Sequence, residues 1–183
     1  MEVKTILQLS EMSFEQYALE NGLRMGHHQT RARPIIVDGS NVGLDHGEGI
    51  FSFHGIVLVV ADWQKRGHWV EVIMPPEVDP NPGSHRAVML DLAARVEGLV
   101  ITLDTFMDLH GQQASWDRVI EERLLPQMFL GPDRVVWPQF PYGHMDDWRS
   151  VEEMSSVCPK TRTAPAQKQI RSAELVNTYY III

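Results

Sequence analysis

The sequence predicts an α/β fold in which helices cover both faces of a mostly parallel sheet. Short apolar runs rich in β-branched residues alternate with longer segments whose apolar residues recur every three or four positions. This alternation is typical of βαβ units and of sheets that are buried on both faces. The chain has 183 residues, a length that favours one domain with short tails.

Three runs have the composition of buried strands. They are Ile35–Val37, Val70–Met74 and Leu99–Leu103. The first run is followed by Asp38 and the third by Asp104, and aspartate commonly begins a turn. We expect these three strands to pair in parallel, which places both aspartates at the carboxyl edge of the sheet.

Four helices are predicted from the 3.6-residue periodicity. Phe53–Arg66 shows this periodicity most clearly, and Gly67 can end that helix. Ser84 can cap the helix that follows. The predicted elements are the helices Ser13–Asn21, Phe53–Arg66, Ser84–Val96 and Ser115–Leu130, and a last short strand, Arg134–Trp137.

The composition limits the classes of function. Lys and Arg number 16 and Asp and Glu number 24, so the net charge is −8, which argues against a basic nucleic-acid clamp. The one cysteine, Cys158, allows no internal disulfide and no complete cysteine-based zinc site. Apolar runs such as Gly55–Ala61 are far shorter than the roughly 20 residues of a membrane span. We expect a cytoplasmic protein, with the nucleus as an alternative, and no membrane partner.

The polar residues after the first and third strands are the strongest candidates for chemistry. Asp38 and Asn41 follow the first strand, and Asp104 and Asp108 follow the third. Clustered carboxylates repel one another unless a cation such as Mg²⁺ lies between them, and such a site can activate water. The alternative is local turn chemistry, in which Asp38 starts a turn and Asp104 caps a short helical turn.

Four motifs in the same order resemble one known family. They are Ile35-Ile-Val-Asp-Gly-Ser-Asn-Val42, Leu103-Asp-Thr-Phe-Met-Asp-Leu109, Ser115-Trp-Asp-Arg-Val-Ile-Glu-Glu-Arg-Leu-Leu125 and Pro141-Tyr-Gly143. Over Arg33–Trp148 the chain resembles the NYN/PIN-like ribonuclease domain of the Regnase (MCPIP) CCCH zinc-finger endoribonucleases. The resemblance implies a PIN-like three-layer α/β/α sandwich.

The resemblance also implies Mg²⁺-dependent endonucleolytic cleavage of RNA in mRNA turnover. Asp38 matches the first metal-binding aspartate, Asn41 the asparagine that orients it, and Asp104 and Asp108 the later acidic pair. The implied metal ligands are Asp38, Asp104 and Asp108. The expected substrate is single-stranded or stem-loop mRNA and not DNA, and a homodimer is a further expectation.

RNA binding requires cationic side chains beside the carboxylates. Among the basic residues of the body, Arg33, Arg86 and Arg118 are the candidates. Ordinary surface charge is an equally good interpretation of each of them taken singly. We expect weak RNA affinity from so few cations without a partner domain.

The chain departs from the family pattern at the start of the third predicted helix. The family has Asp-Asp-Arg-Phe there, and this chain has Ser84-His85-Arg86-Ala87. The segment before it, Glu77–Gly83, is shorter than the family's by about one helix and one strand. Asp91 could replace a lost carboxylate, although its spacing also suits a solvated helix face. Impaired nuclease activity is therefore expected, and a degenerate NYN domain that binds RNA or protein is the alternative.

The expected organisation has three parts. Residues 1–32 form an N-terminal helix and linker, residues 33–150 the NYN/PIN-like domain, and residues 151–183 a basic, weakly structured tail. A shortened isoform is a third interpretation, because the end of the chain, Tyr179–Ile183, is apolar and β-prone.

Overall fold

The computed structural model describes residues 14–23, 32–75, 84–138, 151–156 and 180–182. Most of the expected basic tail, including Cys158, lies outside this part of the chain. The elements, in chain order within each class, are the helices α1 (Phe14–Glu20), α2 (Gly39–His46), α3 (Phe53–Lys65), α4 (Ser84–Val96), α5 (Ala114–Glu122) and α6 (Val151–Ser156), and the strands β1 (Ile35–Asp38), β2 (Val70–Ile73), β3 (Leu99–Ile101), β4 (Leu124–Leu125), β5 (Met128–Phe129), β6 (Val135–Val136) and β7 (Tyr180–Ile182).

The central sheet has the strand order β4-β3-β1-β2-β7. Strands β1, β2, β3 and β4 are parallel, and Ile35 of β1 lies opposite Val70 of β2 and Leu99 of β3. Strand β7 pairs antiparallel with β2, with Ile182 opposite Glu71. The predicted mixed α/β fold with a mostly parallel sheet is therefore confirmed.

Helices cover both faces of the sheet. Ile35 and Val37 of β1 belong to one core with residues of α3 such as Trp63. Ile36 points to the opposite face and belongs to a second core with residues of α4 and α5, such as Leu92. Because successive side chains of a strand alternate between its faces, a fully buried strand requires such a layer on each side.

Helix α2 is an element that the sequence analysis missed. Its first residues, Gly39-Ser40-Asn41, are turn formers, but here they form the first turn of a helix that runs to His46. Asp38 is its N-cap, and the carboxylate accepts a hydrogen bond from the backbone N–H of Asn41. The signal for this helix is an N-cap aspartate, and the same residue type also begins turns.

The predicted helix Ser115–Leu130 is wrong in its second half. Helix α5 ends at Glu122, and Leu124 and Leu125 pair with β3 as strand β4. Pro126 disfavours a helical conformation for the residue before it, which explains the change. The predicted strand Arg134–Trp137 is shorter than expected and pairs with β5 in a separate two-stranded sheet.

One carboxylate is buried within the central sheet. Glu71 of β2 is only 3% exposed, and its Oε2 has no hydrogen-bond partner among the described residues. Burial alone raises the pKa of Glu71 to about 7 from the ordinary 4.5. Among the helices of the described segments, none is long and apolar enough to cross a membrane.

Candidate active site

Asp38 lies at the carboxyl end of the central strand β1. Its side chain is almost fully buried, and both carboxylate oxygens accept hydrogen bonds. Oδ1 accepts from the hydroxyl of Ser40 at 3.0 Å and from the backbone N–H of Asn41 at 3.1 Å. These bonds hold the carboxylate in one position at the edge of the sheet.

Thr102 connects Asp38 with Asp104. Its hydroxyl donates to Oδ2 of Asp38 at 3.0 Å and accepts from the backbone N–H of Asp104 at 3.0 Å. The structure thus brings the two strand-end aspartates to the same edge of the sheet. This role of Thr102 was not predicted from the sequence, where the residue lies in the third predicted strand, although a hydroxyl in an otherwise apolar run is a usable signal.

Asn41 lies on the first turn of α2, beside the end of β3. Its side-chain oxygen accepts from the backbone N–H of Leu103 at 2.9 Å and from Nε2 of Gln127 at 3.2 Å. The side chain therefore joins α2 to the segments after β3 and β4. In the described structure it is the backbone N–H of Asn41, and not its side chain, that contacts Asp38.

Arg86 forms ion pairs with Asp104 and Asp108. Its Nη1 and Nη2 donate to the two oxygens of Asp108 at 2.8 and 2.7 Å. Its Nε lies 2.7 Å from Oδ2 of Asp104, an ion pair without the alignment of a good hydrogen bond. The guanidinium also lies 5.1 Å from the ring centre of Phe106. One cation therefore faces both later aspartates.

These ion pairs change the acid–base properties of their members. The hydrogen bonds from Arg86 lower the pKa of the exposed Asp108 carboxyl. In turn, the hydrogen bond to Asp108 is the main cause that raises the pKa of Arg86. Arg86 lies on the first turn of α4, directly after Ser84 and His85. This turn contains no acidic residue, and it brings a cation to Asp104 and Asp108.

Asp91 does not reach this site. Its carboxylate accepts from Nε1 of Trp116 at 2.7 Å, between α4 and α5. Trp116 is 6% exposed and belongs to the second core. Asp91 therefore joins two helices. It acts neither as a replacement metal ligand nor as a solvated surface residue, the two roles that the sequence suggested.

The other two candidate RNA contacts lie apart from the carboxylates. Arg118 is exposed on α5, where its Nε lies 3.7 Å from Glu122. The backbone of Arg33 bonds to Ser155 and to the ring of His68. Arg86 is the arginine whose side chain contacts Asp104 and Asp108.

The donor chemistry of this edge suits a divalent cation, but its charge balance does not favour one. Carboxylate oxygens are the ligands that Mg²⁺ prefers. Within the described segments, however, no group of three or more His, Cys, Asp or Glu side chains is arranged to hold a metal ion. Arg86 already pairs with Asp104 and Asp108, and both oxygens of Asp38 accept hydrogen bonds.

A family model confirms the resemblance noted above. The model of the Zc3h12a-like ribonuclease NYN domain matches residues 31–86 and 78–148. These stretches include strands β1 to β6, Asp38, Asp104 and the ion pairs of Arg86. They span more than half of the 183 residues. The chain therefore belongs to the Zc3h12a-like ribonuclease NYN domain family.

Proposed function

We propose that this chain is a weakened, Mg²⁺-dependent endoribonuclease that cleaves single-stranded or stem-loop RNA in mRNA turnover. Membership of a ribonuclease domain family supports action on RNA. The single observation that carries the proposal is the Asp38–Thr102–Asp104 connection at the carboxyl edge of the sheet. In open α/β sheets this edge is where ligands bind.

Asp38, Asp104 and Asp108 are the residues that would hold Mg²⁺. Bound Mg²⁺ supplies two effects, an activated water and stabilisation of the charge that develops on phosphate. The chain itself supplies position: Ser40, Asn41 and Thr102 hold the Asp38 carboxylate at one place. Asn41 fixes the distance between this edge and the end of β3 through the N–H of Leu103.

Two features weaken the proposed activity. Ser84 and His85 provide no negative charge where the family has two aspartates, so the cation is held by fewer ligands. Arg86 competes with the cation for Asp104 and Asp108. A loosely held ion stabilises the transition state less well, because electrostatic catalysis depends on fixed charges.

The proposed substrate contacts are the three arginines that the sequence singled out, and among them Arg86 contacts the later aspartates. We assign RNA phosphate binding to Arg33, Arg86 and Arg118, with Arg86 free for it only when its ion pairs open. The net charge of −8 predicts weak and salt-sensitive binding. We further propose that residues 33–150 form the catalytic unit. The proposed location is the cytoplasm or nucleus, and the proposed assembly is a homodimer.

The central experiment is a cleavage assay with end-labelled stem-loop RNA, in the presence of Mg²⁺ and of EDTA. We expect slow cleavage with Mg²⁺, none with EDTA, and none in Asp38→Asn. The matched control is Glu121→Gln, which removes an exposed carboxylate on α5 that pairs with His110 and should cleave like the parent. Cleavage that persists in EDTA and in Asp38→Asn would contradict the proposal.

A second candidate function is a degenerate NYN domain that binds RNA or protein without cleaving it. The ion pairs of Arg86 favour it, because one guanidinium occupies two of the three carboxylates that a cation needs. RNA that binds at every Mg²⁺ concentration without being cut would establish this second function. The same assay, with a filter-binding measurement beside it, separates the two candidates.

A further inference from the structure

A cavity lies next to the acidic edge and has no role in the function proposed above. It encloses about 530 Å³, within the range of roughly 300–1,000 Å³ that is usual for small-molecule sites. Its lining comes from the end of α2 and from the β5–β6 hairpin with the residue before it, Gln127. The polar lining residues are Asp45, His46, Glu48 and Gln127, and Met128 and Phe129 contribute apolar surface.

Gln127 joins this cavity to the candidate active site. Its Nε2 donates to Oδ1 of Asn41 at 3.2 Å and to Oδ2 of Asp45 at 3.3 Å. Asn41 in turn contacts Leu103 and, through its backbone, Asp38. A molecule in the cavity therefore lies only a few side chains from the Asp38 carboxylate.

The cavity offers hydrogen-bond acceptors and no free side-chain donor among its described polar residues. Nε2 of Gln127 serves two acceptors, and its Oε1 is buried with no hydrogen-bond partner among the described residues, so the acceptors that a ligand can reach are the exposed carboxylates of Asp45 and Glu48. Oδ1 of Asp45 and the carboxylate of Glu48 have no partner within the described segments. Such a lining is complementary to a ligand that carries N–H donors.

His46 forms a fixed wall of the cavity. Its Nδ1 lies 2.8 Å from Oγ of Ser52 and its Nε2 lies 2.8 Å from the backbone oxygen of Pro132. Its ring packs edge-on against Phe129 at 4.8 Å between centroids. Gly55 of α3 lies against it, where a Cβ would be 2.3 Å from the Cβ of His46. Both ring nitrogens are engaged, so His46 supplies shape rather than a hydrogen bond to a ligand.

We infer that this cavity binds one nucleobase that carries an exocyclic amine, namely cytosine, adenine or guanine, beside the phosphate to be cleaved. This inference rests on the proposed function, because the nucleobase belongs to the proposed RNA substrate. The carboxylates of Asp45 and Glu48 accept hydrogen bonds from amino groups and repel phosphate, so the base enters and the backbone stays outside. Met128, with 46% of its surface exposed, provides a polarizable apolar surface for the base.

The test uses free nucleosides, so that neither phosphate charge nor cleavage affects the result. Cytidine and uridine are matched in size and differ on one edge of the base, where cytosine has an amine and an N3 acceptor and uracil has a carbonyl oxygen and a single N3–H donor. Each is titrated into the ¹⁵N-labelled full chain, and the side-chain amide signal of Gln127 and the backbone signals of Gly47 and Gly131 are followed. We expect cytidine to shift these signals at about tenfold lower concentration than uridine.

Asp45→Asn is the informative variant. Its side-chain oxygen can still accept the hydrogen bond from Gln127, and its amide N–H₂ replaces Oδ1 of the carboxylate. The preference for cytidine over uridine should therefore disappear or reverse. If Asp45→Asn does not fold, the exposed Glu48→Gln, which removes the other carboxylate, should reduce the preference. The control Glu122→Gln, on α5, should keep the parent's preference.

Several results would overturn the inference. Equal shifts with cytidine and uridine would do so, as would shifts confined to residues outside the cavity. Tighter binding of N-acetyl-arginine amide than of cytidine would assign the cavity to a protein partner instead. The nucleoside titration measures no cleavage, so its result is independent of the nuclease assay. Cytidine binding in a chain without nuclease activity would support the nucleobase site but not the nuclease function. RNA cleavage without a nucleoside preference would contradict the nucleobase site but not the nuclease function.

Discussion

Arg86 holds Asp108 in a two-pronged ion pair, with Nη1 to Oδ2 at 2.8 Å and Nη2 to Oδ1 at 2.7 Å. The same guanidinium reaches Asp104 through Nε at 2.7 Å. The planar fork of arginine matches a carboxylate in this way, whereas a lysine provides only a point charge. One guanidinium therefore occupies two carboxylates that a cation would otherwise use.

Removal of this guanidinium should increase cation affinity. Arg86→Gln frees Asp104 and Asp108, and we expect Mn²⁺, followed by its paramagnetic effect on nearby amide signals, to bind about tenfold more tightly. The free energy of unfolding should change little, because Asp108 is largely exposed and ion pairs in contact with water contribute little to stability. Arg118→Gln, which removes an exposed arginine on α5, is the control. Unchanged Mn²⁺ affinity in Arg86→Gln would show that the ion pairs do not limit cation binding.

Restoration of the acidic pair should increase cleavage. The double variant Ser84→Asp/His85→Asp places two carboxylates on the first turn of α4, where negative charge also interacts favourably with the helix dipole. We expect Mg²⁺-dependent cleavage of the labelled stem-loop RNA to rise at least about tenfold, since each added ligand strengthens cation binding. The control is Ser84→Asn/His85→Asn, which has similar size and no charge. Equal rates in both double variants would rule out charge as the cause.

The buried Glu71 should make stability depend on pH. Because burial raises its folded-state pKa to about 7 while the unfolded value stays near 4.5, folding favours the protonated form. The stabilising contribution is complete below about pH 4.5 and is lost as the pH rises to about 7, at a cost of about 3 kcal/mol. Glu71→Gln should remove this part of the slope in urea unfolding experiments, whereas Glu122→Gln should keep it. A parent protein with equal stability at pH 5 and pH 8 would contradict the assignment.

Asp91 should contribute to stability and not to catalysis. Asp91→Ala leaves the buried indole N–H of Trp116 without its partner, at a cost of about 1–3 kcal/mol in the free energy of unfolding. Asp91→Asn keeps an acceptor oxygen and should cost less. Both variants should leave the Mn²⁺ affinity unchanged when it is measured on folded protein. A clear loss of Mn²⁺ affinity in Asp91→Asn would instead show that Asp91 is a metal ligand.

Local sequence patterns determined the layered α/β architecture. Strands β1 and β3 begin with the short apolar runs Ile35–Val37 and Leu99–Ile101, which is typical of strands with a layer on each face. Parallel pairing then places the residues that follow these strands at one edge, so the approach of Asp38 and Asp104 was predictable from order alone. Three of the four matching motifs lie at these strand ends and in α5 with the strand after it, whereas the fourth, Pro141–Gly143, lies outside the described residues.

Tertiary structure alone decided the partners of the polar side chains. Arg86 follows Asp38 by 48 positions and precedes Asp108 by 22, and no local pattern tells whether its guanidinium faces solvent, RNA or a carboxylate. Asp91 pairs with an indole because α4 and α5 pack together, a contact between side chains 25 residues apart. The helix predicted from periodicity also extends beyond the observed end of α5. Leu124 and Leu125 have helical spacing in the sequence, but they pair with β3 instead. Apolar periodicity is visible within a single segment of the sequence, so the layers of the fold could be predicted from it. Hydrogen bonds and ion pairs are directional and join distant segments. The tertiary structure therefore decided which charged side chains of the site pair with one another.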